Sequence, residues 1–253
     1  MKKYAVVTGA SSGIGAEFAK FLSGMGYDLI LVARREDKLV SLSKKLKTDS
    51  VIIRCDLSDK DEVFELYEEI SRYNIHVFIN NAGFGDCGYF PSTELDKDID
   101  MIAVNVTAVH ILTKLMIKYF DNKGGGYLLN VASSAGLFPA GPYMATYYAT
   151  KSYVVSLTRA IAYELEENES KVYIGALCPG PVNTEFNSVA NVSFDLKGIS
   201  PKACARYALK QMKKRKVIIV PTVGMKTLAY GSKMIPTKTV VAGTASQQKK
   251  KIY

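Results

Sequence analysis

Tryptophan is missing from this 253-residue chain, and histidine is nearly so, with only His76 and His110 present. Structural and catalytic zinc centres draw three or four ligands from His, Cys and carboxylate at short spacings. A histidine-based metal site is therefore not expected, and no metal ligand is assigned. The four cysteines, Cys55, Cys87, Cys178 and Cys204, show no Cys-x-x-Cys spacing and no histidine partner. They read as reduced thiols, which places the expectation in the cytoplasm. Long hydrophobic runs are also lacking, since no stretch reaches the roughly 18 apolar residues that cross a bilayer. Met1-Lys2-Lys3 has the charge of a secretion signal, but the apolar run Tyr4 to Val7 is too short to serve as its hydrophobic region. Finally, Asp and Glu are absent from residues 196 to 253, which carry fourteen Lys and Arg. Residues 1 to 195 hold nineteen basic against twenty-four acidic side chains, so a mildly acidic body precedes a strongly basic end in a chain of net charge +9. Such an end is either an ordinary solvated surface or an attractor for an acidic membrane, nucleic acid or an anionic carrier group. Nucleic acid is not expected, because interleaved aromatics and recognisable motifs are missing.

What is present is a regular alternation of short β-branched runs and amphipathic stretches. Tyr4 to Thr8, Asp28 to Val32, Val51 to Ile53, Val77 to Ile79, Gly126 to Val131, Val172 to Leu177 and Val217 to Val220 read as strands. Helices are expected over Gly13–Met25, Glu36–Leu46, Lys60–Arg72, Asp96–Tyr119, Ala145–Glu167 and Pro201–Lys213. Strand–helix alternation of this kind predicts an α/β fold: a single doubly wound, Rossmann-type domain, with about seven parallel strands flanked by helices on both faces. The domain is expected over residues 1–221, with a substrate loop and helix at about 185–213. Residues 222–253 read as a basic tail with a short amphipathic segment, frayed from Ala245 onward.

Two local patterns carry chemistry. Gly9, Gly13 and Gly15 lie between a strand and a helix, where glycine permits positive φ and close backbone approach to a phosphate, and the helix N-terminus adds amide donors. The spacing Gly-x-x-x-Gly-x-Gly is not a Walker loop, because no Gly-Lys-Ser/Thr follows. Downstream, Tyr147 precedes Lys151 by four residues, so the two share a helix face. A nearby ammonium favours the phenolate and would bring the phenol, ordinarily near pKa 10, toward the working range of an acid/base.

The chain resembles the short-chain dehydrogenase/reductase family. The resemblance rests on Thr8-Gly9-Ala10-Ser11-Ser12-Gly13-Ile14-Gly15, Cys55-Asp56-Leu57, Asn80-Asn81-Ala82-Gly83, Asn105, Asn130 to Gly136, Tyr147-x-x-x-Lys151 and Pro179-Gly180-Pro181-Val182-x-Thr184, in that order. It implies that Tyr147 exchanges a proton with a carbonyl oxygen, that Lys151 lowers the Tyr147 pKa and holds the nicotinamide ribose, and that Ser133 orients the carbonyl. Asn105 would hold a relay water. Asp56 and Leu57 would take the adenine, Asn81, Ala82 and Gly83 the ribose side, and Pro179, Gly180, Val182 and Thr184 the nicotinamide end. Ser134 adjoins Ser133 and stays open as the functional hydroxyl, because the interval to Tyr147 is one residue longer than usual in the family.

NAD-preferring sites place an acidic residue at the end of the second strand. Here that position is Ala33, followed by Arg34 and Arg35. The Arg34 guanidinium can pair with a 2′-phosphate, with Ser11 or Ser12 adding a hydroxyl, so NADP(H) is the expected cofactor. The other reading keeps the arginines as loop caps and gives the ribose to Asp37. The expected partner is a small carbonyl or alcohol substrate, ketoacyl- or hydroxysteroid-like. Phe186, Phe194 and Leu196 are offered as apolar wall, and Gly85 to Phe90 with Pro91 as the opposite rim. The resemblance also implies a homodimer or homotetramer. A non-catalytic NADP-sensing or scaffold protein of the same fold is the competing function.

Overall fold

The computed structural model describes residues 2–186 and 198–250; Phe194 and Leu196 lie outside them. Seven parallel strands form one sheet: β1 (Tyr4–Thr8), β2 (Asp28–Ala33), β3 (Ser50–Arg54), β4 (Ile75–Asn80), β5 (Gly126–Val131), β6 (Val172–Leu177) and β7 (Ile218–Ile219), in the order β3-β2-β1-β4-β5-β6-β7. The central strands are largely apolar on both sides because both faces are covered. Ala5 and Val7 join the core beneath α1 (Gly13–Gly24), α2 (Glu36–Ser43) and α7 (Pro201–Lys213). Val6 between them points to the other core, under α3 (Lys60–Ile70) and α5 (Val109–Lys123). Phe18 anchors the first core and Phe78 and Phe120 the second, all fully buried. Each such burial contributes roughly 1.5–3 kcal/mol.

Local signals set the ends of these helices. The Asp59 carboxylate accepts from the amides of Asp61 and Glu62 and starts α3. α5 stops at Gly124, which takes the left-handed conformation at φ 82°. Because β1 has β2 on one side and β4 on the other, the strand order reverses there, and a crevice opens at the carboxyl ends of β1 and β4.

Three expectations need correction. The helix expected over Asp96–Tyr119 is α4 (Leu95–Ile102), a π-helical segment (Ala103–Ala108) and α5. One extra residue per turn at Asn105 lets the chain stay helical while re-aiming that side chain. The stretch Leu95–Lys123 is also long and apolar enough on average to cross a membrane, at mean hydropathy 1.4 over its best window. Along it Met101, Leu112, Met116 and Phe120 are fully buried in the core, whereas Leu95, Ile99 and Ile102 are exposed. Lastly, the end of the chain is not frayed at Ala245. Residues 222–250 form α8 (Val223–Gly231), a 3₁₀ turn and α9 (Thr237–Lys249), which fold back over the crevice.

Candidate active site

The glycine turn is held by side chains from β4. Asn81 Nδ2 donates to the carbonyls of Thr8 (2.9 Å) and Gly9 (3.2 Å), while Thr8 Oγ1 accepts from the amides of Asn81 (2.9 Å) and Ala82 (3.0 Å). The fit excludes side chains. A Cβ on Gly9, whose φ is +62°, would lie 2.8 Å from Ala82 Cα, and one on Gly15 would strike the Gly9 carbonyl and Asn81. Gly15 is thus a packing residue behind the wall. Ser12 caps α1 without a side-chain hydrogen bond, and the first turn of α1 holds no acid. Its leading amides face the cavity at Ser12, Gly13 and Ile14, so the donor set suits a pyrophosphate.

One cavity of about 680 Å³ runs from this turn to the catalytic candidates. Every cofactor-side residue expected from the sequence lines it except Gly15: Gly9, Ser11, Ser12, Gly13, Ile14, Arg34, Arg35, Asp56, Leu57, Asn81, Ala82, Gly83, Pro179, Gly180, Val182 and Thr184. The two arginines divide. Arg34 sits 3.7 Å from Asp56, whereas Arg35 donates to both Ser11 and Ser12 (3.1 Å each) and pairs with Glu185 at 2.9 Å. Arg35, rather than Arg34, therefore meets the serines of the glycine turn. Burial raises the Asp56 carboxyl, but the Ser58 amide and hydroxyl, with Arg34, outweigh it and hold the group below its ordinary range. Glu185, which the sequence did not flag, is likewise held low, first by its bond to Arg35.

At the other end, Tyr147 and Lys151 lie one turn apart on α6 (Ala145–Glu167), both buried, with the Lys151 Nζ 5.9 Å from the Tyr147 ring centre. Lys151 Nζ donates to the Val131 carbonyl at 3.1 Å. Burial pushes the Tyr147 phenol up to about 12, against the opposing pull of the nearby Ser133 hydroxyl, which itself accepts from the Ala135 amide at 3.1 Å. Burial likewise pushes Lys151 down to about 8. The spacing argument expected the ammonium to govern the tyrosine; within the protein alone, desolvation does. Ser134 instead opens a 3₁₀ turn, and its amide donates to the Pro179 carbonyl at 2.8 Å.

Asn105 is fully buried behind the cavity. Its Oδ1 accepts from the Phe84 amide (3.1 Å), and Nδ2 donates to the Phe84 carbonyl (2.8 Å) and the Thr150 hydroxyl (3.2 Å). The side chain is a clasp on the segment that follows β4. Gly83 sits so close that a Cβ there would lie 2.8 Å from Asn105 Oδ1 and 3.0 Å from Lys151 Nζ.

The roof was not foreseen in detail. Thr244 donates to the Ala140 carbonyl at 3.0 Å, and Gln248 Nε2 donates to the Tyr148 hydroxyl at 2.7 Å. Gln248 is 2% exposed, lines the cavity, and its Oε1 has no hydrogen-bond partner among the described residues. A polar residue immediately before a lysine run gives no sequence signal for such a role. Phe186 closes the side wall, 5.5 Å from the Tyr147 ring.

A parallel sheet with a phosphate-type turn at its switch point, and a buried Tyr–Lys–Ser group at the far end of one cavity, define a dinucleotide-binding oxidoreductase site. The short chain dehydrogenase family model matches residues 3–193, and the chain belongs to that family. A very-long-chain 3-oxoacyl-CoA reductase of Kluyveromyces lactis is 35% identical over 84% of this chain; the match spans 64% of that protein's length. Among solved structures, a short-chain dehydrogenase from Sphingobium yanoikuyae in complex with NADPH superposes with a TM-score of 0.83 at 26% identity, over 92% of each chain. A short-chain dehydrogenase/reductase from Burkholderia phymatum in complex with NAD superposes at 0.82, with 22% identity over 92% of this chain and 95% of that one.

Proposed function

We propose that the chain is an NADP(H)-dependent oxidoreductase that reduces the carbonyl of a substrate carrying a long or bulky apolar group, with 3-oxoacyl thioesters the first class to test. The observation that carries this reading is the buried Tyr147–Ser133–Lys151 group, set beneath an apolar roof at the end of a phosphate-competent cavity. A bound nicotinamide dinucleotide would supply the hydride. Tyr147 holds the proton that the developing alkoxide takes, and Ser133 offers a second hydroxyl for that oxygen. Lys151 keeps a cation beside the phenol and presents donors to a ribose. Phe186, Met225 and Leu228 give the substrate end an apolar wall, and the unpartnered Gln248 Oε1 is an acceptor for an N–H or O–H on the substrate. The homology to the yeast 3-oxoacyl-CoA reductase favours an acyl thioester over a steroid. Turnover of NADPH with a 3-oxoacyl thioester, compared with steroid, sugar and small-aldehyde panels, tests the substrate class; failure of every carbonyl would favour the non-catalytic reading.

Preference for NADP(H) rests on Arg35, Ser11 and Ser12. Replacing Arg35 by Ala should lower kcat/KM for NADPH roughly 10- to 100-fold, as loss of a charge-assisted hydrogen bond does, with little change for NADH. Glu185 holds the same guanidinium, so Glu185→Gln should lower the NADPH KM. Equal losses for both cofactors in Arg35→Ala would remove the basis for NADP(H). The proposed assembly is a homodimer or homotetramer, supported by exposed Leu95, Ile99 and Ile102 on α4 and Tyr163 on α6. A cytoplasmic location is proposed from the four free thiols.

A further inference from the structure

The outward side of the roof has an unusual composition. Met225, Ala229 and Ser232 turn inward, Leu228 and Ile235 lie at the cavity rim, and Val223, Tyr230 and Met234 are exposed on the outside. A surface helix normally shows polar side chains there. Instead Met234 is 91% exposed, Val223 83% and Leu228 55%, with Ile235 and Tyr230 close behind. Single exposed apolar residues are ordinary, but five within thirteen residues of one segment make a patch that needs a partner. Lys226, Lys233 and Lys238 are interleaved with them, and residues 198–250 contain no acid to neutralise the set. Lys233 lies over the Tyr230 ring at 5.4 Å.

We propose that residues 223–238 dock on an anionic lipid surface. Charge selects that occupant. A second copy docked through the same face would set lysines against lysines. An acidic protein would satisfy the lysines but, being charged, would leave Met234 and Val223 without an apolar counterpart. A lipid interface meets both needs, with acyl boundary for the large side chains and anionic headgroups for the ammonium groups. Leu228, Ser232, Ile235 and Thr239 line the cavity from the same segment. The docked face therefore lies at the cavity mouth, and an apolar substrate could pass from the lipid to Tyr147; that last clause rests on the proposed function, while the docking does not.

Sedimentation of the purified full chain with vesicles tests the docking without reference to turnover. Binding is expected to vesicles of phosphatidylcholine mixed with phosphatidylserine, with release by high salt and little binding to phosphatidylcholine alone. The double variant Val223→Glu/Met234→Glu, at two exposed positions away from the catalytic group, should lose binding about tenfold or more. Circular dichroism spectra and melting temperature matching the wild type would show that it folds. Lys213→Glu/Lys214→Glu serves as a control for general basic charge. These residues end α7, next to Arg215, which donates to the Val172 carbonyl at the amino edge of the sheet, opposite the cavity; they should leave binding largely intact. Failure of the wild type to sediment with mixed vesicles would overturn the proposal. So would equal binding by the Val223→Glu/Met234→Glu variant, a loss confined to the α7 variant, or binding only to an acidic acyl carrier protein.

Discussion

Tyr147→Phe should lower kcat by about 10²–10⁴-fold, the range associated with a positioned acid/base, while cofactor affinity stays within about threefold of the wild type. The substitution keeps the ring, and with it the contacts to Phe186 and Tyr148, so the loss reports the hydroxyl rather than the packing. Cofactor titration by fluorescence and single-turnover kinetics separate the two effects. The neighbouring tyrosine provides a control. The Tyr148 hydroxyl is committed to Gln248 in the roof, so Tyr148→Phe should change KM more than kcat. Burial holds Tyr147 at about 12, so the phenol stays protonated across neutral pH and carbonyl reduction is insensitive to pH on its account. The reverse reaction needs the phenolate and should accelerate as pH rises toward the limit of protein stability. A Tyr147→Phe enzyme keeping more than roughly a tenth of wild-type kcat would place the proton elsewhere. Ser133→Ala should fall between these cases, and Ser134→Ala should be close to wild type because Ser134 holds Pro179 through its backbone amide, which alanine keeps.

Much of this site is legible in the sequence because its parts are local. The strands announce themselves as β-branched runs with no polar alternation, the pattern two covered faces demand. The glycine turn and the Tyr147–Lys151 spacing follow from backbone freedom and helix geometry. What is not legible depends on environment or on distant chain. Arg34 and Arg35 are adjacent and chemically identical, and only the path of the loop decides that Arg35 meets Ser11 and Ser12. The π-helical insertion at Asn105 leaves the hydrophobic period nearly unchanged, so a continuous helix was the natural reading. α9 contains Thr237, Thr239, Val240, Val241 and Gly243, which are poor helix formers. It is held by bonds to Ala140 and Tyr148, more than a hundred positions earlier for Thr244 and a hundred for Gln248. The balance at Tyr147 is not legible either: spacing identifies its charged neighbour, while the burial that raises its pKa comes from distant chain.

Lys151→Met should raise thermal stability while lowering kcat/KM by about 10²-fold or more. The ammonium is 4% exposed and bonds a backbone carbonyl, and burial holds its pKa at about 8 against an ordinary 10.5. A group whose pKa falls on folding disfavours the folded state while it must stay charged. At neutral pH the wild type therefore bears that burden, up to about 3 kcal/mol from the size of the shift, and an unbranched apolar chain of similar length does not. Removing the donor leaves the Val131 carbonyl without this hydrogen bond, which returns about 1 kcal/mol. The net gain should appear as a melting temperature higher by about 2–4 °C per kcal/mol. The sign of its pH dependence is fixed. Between about 8 and 10.5 the unfolded chain binds a proton that the folded chain has released, so wild-type stability from this residue rises with pH. The advantage of Lys151→Met should accordingly be full below pH 8 and shrink above it. Melting curves at several pH values measure this directly; a variant less stable than wild type at pH 7, or a gap that widens with pH, would show that Lys151 is a structural support and not a charge held at a stability cost for catalysis.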